Sequence, residues 1–357
     1  MAKNKKKKMS PETKQNLKNI FGSLYSNNKV IEGARHNPWW VAVIYFFLAV
    51  ILPIIPILTS GFSAYGSSMF SASTYSVDTQ ITDFALTLKE NDINFVVSDG
   101  ILTYESEKDY SYSYINSNSK QYDFLAYYSM KTGNAFTKFV NKIVDQSYVL
   151  GTTDAYIAPT SSEASSQPVK TYRPNVLILN PETVYVAVYK ANTTTTAATV
   201  YGDYKTIENG FNFKDLANAL SVTSTTTIDS AKHTELLANP EYCSKVFGNF
   251  KVFLDNSFVT NRNRSTLYTT LLALGIYVAL GIFMGLMVFI LTRGKKNYYS
   301  VLSFIDCEKI NAWAMLSPGL LGMILGFMIP SYAIMFFIIF LGLRVMWMSM
   351  KQLRPTY

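Results

Sequence analysis

Apolar residues crowd into three stretches of the 357-residue chain: 39–58, 266–292 and 312–350. About 20 helical residues cross the ~30 Å hydrocarbon layer of a bilayer, so each of the first two predicts one span. The third runs for 39 residues, too long for one span, and "FMIPSY" at 327–332 interrupts it. Pro330 cannot donate a helical hydrogen bond, so this stretch predicts two short spans joined by a tight turn. The expected fold class is an integral membrane protein, four transmembrane helices with an inserted extracytoplasmic α+β domain. Its parts are a basic cytoplasmic tail with an interfacial amphipathic helix (1–38), a first span (39–60), the α+β domain (61–264), a second span (265–292), a cytoplasmic loop (293–311), a helical hairpin broken near Pro330 (312–350) and a cytoplasmic C-terminus (351–357).

Between the first two spans the hydrophobic period alternates between helix and strand. Val77, Ile81, Phe84, Ala85 and Leu88 make one helical face. "INFVVSDGILTYE" (93–105) predicts a hairpin, because Asp99-Gly100 suits the positive backbone angles of a tight primed turn. An amphipathic helix follows at 134–147, a flexible loop at 159–168, and a second hairpin at 175–190 around Asn180 to Thr183. A strand is expected at 198–204 and a short helix at 213–220. Tyr242, Val246, Phe247, Phe250, Phe253, Leu254 and Phe258 then repeat at helical spacing up to the second span. No repeat of 20–50 residues is visible.

Charge adds orientation. Residues 61–264 hold 16 Lys+Arg against 20 Asp+Glu, whereas the rest of the chain holds 16 basic and 4 acidic residues. The basic residues flank the spans on one side: Lys14, Lys18, Lys29 and Arg35 before the first, Arg293, Lys295 and Lys296 after the second, Lys351 and Arg354 after the last. Positive flanks stay in the cytoplasm, so both termini are expected inside and 61–264 outside, with Arg262 and Arg264 as exceptions. Trp39, Trp40, Trp313 and Trp347 fall at the cytoplasmic ends of the spans, where amphipathic rings favour the headgroup region. About 38 residues precede the first apolar run, more than the short basic region of a signal peptide, so the run reads as an uncleaved anchor. Cys243 and Cys307 fall on opposite sides and cannot pair, leaving the outer domain to rely on its core.

Ser10, Pro11 and Glu12 form a helix-start signal. Leu17, Ile20, Phe21 and Leu24 follow at helical spacing, consistent with a helix on the inner leaflet or one packed on the protein's own cytoplasmic loop. The lysines from Lys3 to Lys8 read as a tail held to anionic lipid, and no nucleic-acid partner is expected.

"NIFGSLYSNNKVIEGAR", prolines late in the first span, "FVVSDGILTYE", "VLILNPETVYVAVYK", "FNFKDLANAL" and the proline-broken final spans occur in order. As a layout they resemble the bacterial maltodextrin-utilisation membrane proteins (YvdJ-type). The resemblance implies a bacterial cytoplasmic-membrane protein, of a family sometimes encoded beside sugar-uptake genes. It supplies no catalytic, cofactor or metal residues. Inserts near 106–122 and 159–172 make the outer segment long for that family.

Candidate chemistry is sparse. His36 and His233 lie on opposite sides of the expected membrane, so they cannot share a metal. No phosphate loop, nucleophile elbow or HExxH stretch is present, and neither enzymatic activity nor a cofactor is expected. Cys243 reads as a buried core thiol. The middles of the expected spans lack Asp, Glu, Lys and His, which argues against ion-coupled transport, and Arg344 is close enough to one end to snorkel. Gly281 and Gly285, and Gly322 and Gly326, stand at GxxxG spacing, with Gly275 and Ala279 a similar pair. Such pairs serve either an intramolecular bundle or a partner's helix. Alternation in "YSYSY" puts Tyr110, Tyr112 and Tyr114 on one strand face, which is either a sugar-stacking surface or a half-buried strand. The expected function is a non-enzymatic accessory protein that contacts a carbohydrate-uptake or envelope complex through its outer domain and glycine-lined helices, or that self-associates. The alternatives are an outer carbohydrate-binding module or sensor, and a small transporter or lipid-handling protein.

Overall fold

The computed structural model describes residues 18–70, 77–106, 108–116, 121–149, 171–190, 193–294 and 297–354. The expected helix start at residues 10–12, the lysine tail and the loop at 159–168 lie outside the described residues. In chain order the elements are α1 (Asn27–His36), α2 (Trp39–Ile51), α3 (Ile54–Phe62), α4 (Val77–Glu90), β1 (Phe95–Ser98), β2 (Ile101–Tyr104), β3 (Tyr110–Asn116), β4 (Gln121–Tyr128), α5 (Gly133–Val144), β5 (Tyr148–Val149), β6 (Thr171–Tyr172), β7 (Asn175–Leu179), β8 (Thr183–Tyr189), β9 (Thr196–Asp203), β10 (Phe211–Asn212), α6 (Ser230–Leu237), α7 (Pro240–Thr292), α8 (Phe304–Met328) and α9 (Ala333–Lys351). The chain divides into two compact units: Ala64–Asn263, and the flanking segments Met1–Ser63 and Arg264–Tyr357.

Among the described residues, four helices are long and apolar enough to cross a membrane: Trp39–Phe62, Pro240–Thr292, Phe304–Met328 and Pro330–Lys351. The predicted break at Pro330 is present as a short 3-10 turn, Pro330–Tyr332, between α8 and α9. The first span also breaks, between α2 and α3, because Pro53 and Pro56 each lack the N–H that would continue the helix. The expected loop 293–311 is shorter than the sequence suggested, since α8 begins at Phe304. Ser303 and Asp306 cause this: they form a reciprocal capping box, with Asp306 N–H donating to Ser303 Oγ and Ser303 N–H donating back to the carboxylate.

The α+β unit is built on a five-stranded sheet in the order β3-β4-β7-β8-β9. Only β4 and β7 are parallel, and the connection between them carries α5. All five residues of β7 are buried, because both faces of the sheet are covered. Leu177 and Leu179 point into the main core with α4 and the first part of α7, while Val176 and Ile178 meet Phe136 and Val140 of α5. A smaller sheet, β10-β1-β2, closes the main core. Its hairpin turns at Asp99 and Gly100, with φ of 51° and 75°, as the primed turn requires. The second hairpin is held by Asn180, whose side-chain oxygen accepts from the backbone N–H groups of Glu182 and Thr183. The short helix expected at 213–220 is a 3-10 turn, Phe213–Ala217.

Candidate functional site

Helix α4 carries Asp83 and Glu90 two turns apart on one face. Helix α6 starts at Asp229, whose carboxylate accepts from Lys232 N–H at 2.7 Å, and this start presents His233 to α4. His233 Nε2 lies 2.8 Å from Asp83 Oδ1, and its Nδ1 lies 3.0 Å from Glu90 Oε2. The second oxygen of Asp83 accepts from the Tyr112 hydroxyl of β3. The cluster is largely enclosed, with the His233 and Asp83 side chains 15% and 17% exposed. The hydrogen bond to Asp83 raises His233 above its ordinary value, burial opposes this, and Glu90 adds to the rise. Burial first, and then Asp83, pushes the Tyr112 hydroxyl well above the ordinary tyrosine range.

This arrangement favours an imidazolium donating to two carboxylates. With both ring nitrogens engaged, His233 pins α6 to α4 and offers no free nitrogen as a base or a metal ligand. Cys243 is free and buried, its Sγ directed at the Leu236 and Leu237 carbonyls. No group of three or more metal-ligating side chains gathers among the described residues.

Tyr110, Tyr112 and Tyr114 do share one face of β3, but the face packs against the main core, and this corrects the sugar-stacking reading. Tyr110 meets Phe95 at 5.3 Å and Tyr112 meets Phe84 at 5.2 Å between ring centroids, while Ser111 and Ser113 take the exposed side. Burial pushes the Tyr110 hydroxyl up to about 12. A tyrosine strand backed by serines buries its ring bodies and finds polar partners for its tips.

The paired glycines are occupied within the helical unit, and this corrects the partner-helix reading. A Cβ on Gly281 would stand 2.6 Å from the Phe46 ring, and one on Gly285 would overlap the Glu308 carboxyl. Gly322 adjoins Pro53 and Phe337, and Gly326 adjoins Pro56 and Ala333. Gly275 differs: nothing lies within 4 Å of its Cβ position, and Ala279 beside it is also exposed. Among the tryptophans, Trp39, Trp40 and Trp347 are exposed and Lys351 sits over the Trp347 ring. Trp313 is fully buried and stacks on Tyr45 at 4.2 Å, so it is a core residue and not one presented to headgroups. Gly33 leaves the space that its ring fills.

Arg344 does not snorkel. Its Nε donates to Asn27 Oδ1 at 3.2 Å, its Nη1 to the Ala314 carbonyl at 3.1 Å, and its Nη2 to the Ser23 carbonyl. Ala314 is the residue whose carbonyl Pro318 leaves without a helical donor, and Arg344 replaces that donor. The segment 18–23 is helical, with Asn19 and Ser23 buried, Ile20 packed on the helical core and Phe21 exposed. The segment packs on the protein's own helices, through Ile20 and the Ser23 carbonyl, a contact that neither reading of it named. Sequence reasoning singled out neither the His233 cluster nor the Arg344 contacts. The only local signals were the Asp83–Glu90 spacing and an arginine in an apolar helix.

The fold and these sites define a protein with four membrane-length apolar helices and a separate α+β unit. Comparison with protein-family models, curated proteins and solved structures gives no match.

Proposed function

We propose that this chain is a non-enzymatic, multi-pass accessory protein of a bacterial cytoplasmic membrane. Both termini lie inside and residues 61–264 outside, as the basic flanks favour. The α+β unit contacts a partner complex of carbohydrate uptake or the cell envelope, in keeping with the resemblance to the maltodextrin-utilisation membrane proteins. The observation that carries the reading is helix α7, which supplies core residues to both units. Tyr242, Val246, Phe250, Phe253 and Leu254 enter the α+β core, and Ala273, Tyr277 and Val288 enter the helical core. A folded unit continuous with a span suits a protein that holds its partner at the bilayer. The open face at Gly275 and Ala279 is the small-residue surface left for a partner's helix, since Gly281 and Gly285 are occupied.

The test is extraction of the tagged full-length protein from its own membrane in mild detergent. A membrane or envelope protein should co-purify at near-equal stoichiometry and be lost in a Gly275→Leu/Ala279→Leu double variant that still folds. Recovery of the chain alone, in every detergent tried, contradicts the accessory reading.

A further inference from the structure

The connection from α7 to α8 carries a 3-10 turn, Tyr298–Val301. A 3-10 helix has about three residues per turn, so side chains at i and i+3 share a side. Tyr299 and Leu302 form one row and pack on the helical core. Tyr298 and Val301 form the other row and stand 74% and 84% exposed. A turn lying between a protein core and water needs an apolar row on one side only, and this turn has one on both. Exposed apolar side chains continue before and after it in the chain, Ile290 on α7 and Ile305 on α8.

The backbone of the turn is supplied from within the protein. Asn297 is buried; its Oδ1 accepts from the Tyr299 N–H at 2.9 Å and its Nδ2 donates to the Leu353 carbonyl at 2.8 Å. The N–H groups of Ser300 and Leu302 donate to the Asn297 and Tyr299 carbonyls. The carbonyls of Ser300 and Leu302 accept from Arg293 Nη1 and Nη2 at 2.5 and 2.7 Å. In a solvated loop water would serve these carbonyls, whereas a turn entering a less polar layer must bring its own donors. Arg35 of α1 lies 5.2 Å from the centre of the Tyr299 ring and ties the inner row down. The outward row is therefore held in place before anything covers it, which lowers the cost of burying it.

Charge decides what covers it. In the sequence Arg293, Lys295 and Lys296 precede the turn and Lys309 follows it. The acids beside it are engaged, Asp306 with Ser303 in the cap and the Glu308 carboxyl against Gly285. Apolar side chains among cations match the boundary between headgroups and acyl chains of an anionic bilayer, where chains take the apolar groups and phosphates the cations. A stable protein interface takes about 20–30 residues a side, far more than this row offers. We propose that the Tyr298–Val301 turn is a membrane-inserting element, which seats Tyr298 and Val301 in the anionic headgroup region of the bilayer that the apolar helices cross. The connection expected as a cytoplasmic loop then lies on the membrane surface. This inference needs those helices in a bilayer, but neither the accessory reading nor a choice of which leaflet this end faces.

The test places an environment-sensitive fluorophore on Val301→Cys of the full-length protein, in vesicles of phosphatidylcholine with phosphatidylglycerol. The native Cys243 and Cys307 are buried. Ser224→Cys, exposed in the α+β unit, gives the water reference. The probe at 301 should emit to the blue of the reference, resist iodide present on both sides of the membrane, and be quenched most by lipids spin-labelled near the top of the acyl chain. The quenching should weaken in vesicles of phosphatidylcholine alone. Tyr298→Cys, on the same row, repeats the measurement if the first variant does not accumulate. Iodide quenching equal to the reference overturns the proposal. So does a probe shielded from both iodide and spin-labelled lipid, which would mean that protein covers the turn. Equal lipid quenching with and without phosphatidylglycerol overturns the anionic preference.

Discussion

His233 has a carboxylate on each ring nitrogen, and that makes the α4–α6 contact depend on pH. Asp83 first and Glu90 after it raise the folded-state value against the effect of burial. The folded protein therefore holds the proton more tightly than the unfolded chain, whose imidazole titrates near ~6.5. The added stability is complete below about pH 6.5 and fades as pH rises through the raised folded value. Hydrogen bonds to charged groups are worth about 1.5–3 kcal/mol, and His233→Gln should cost a sum of that order near pH 6 and clearly less near ~pH 9. Thermal unfolding of the full-length protein in detergent at both pH values measures it; a pH-independent penalty would contradict the ion-pair reading. At this scale the sequence was legible where local chemistry decides. The turn at Asp99-Gly100 and the alternation of Tyr110, Tyr112 and Tyr114 could be read directly. Which side the tyrosines face could not, because a strand's period separates its two faces without naming the covered one.

Proline positions organise the helical elements. Pro53 frees the carbonyl of Ala49, and Gly319 lets α8 come against that backbone, with a Cβ there only 2.5 Å from the Ala49 oxygen. Pro318 frees Ala314, and Arg344 of α9 covers it. Arg344→Met should leave the Ala314 and Ser23 carbonyls bare, at about 1–3 kcal/mol each. Pro318→Ala returns an N–H to Ala314, so in that background Arg344→Met should cost about 1 kcal/mol less. Equal costs in the two backgrounds, measured by denaturant unfolding in detergent, would sink the pairing. The prolines, the GxxxG spacings and the arginine were all visible in the sequence. Their partners were not, because a freed carbonyl is served by whichever helix packs against it, here one 30 residues away in the chain.

At the scale of the molecule, the α+β unit Ala64–Asn263 has its own cores on both faces of its main sheet. A chain of that size can bury enough surface to stand alone. Residues 64–263 expressed by themselves should unfold in one cooperative urea transition and show a structured aromatic circular-dichroism signal. A broad transition without that signal would mean that the unit needs the remaining helices. The sequence by itself determined the four apolar helices and the hairpins, because length, period and turn residues are local properties. Only the tertiary structure decided what the polar and small residues do. Gly281 receives Phe46 and Gly285 receives Glu308, Trp313 stacks inside on Tyr45, and His233 bridges two acids of α4. Each of these depends on which faces meet, and burial then makes every unpaired polar atom find a partner across that contact.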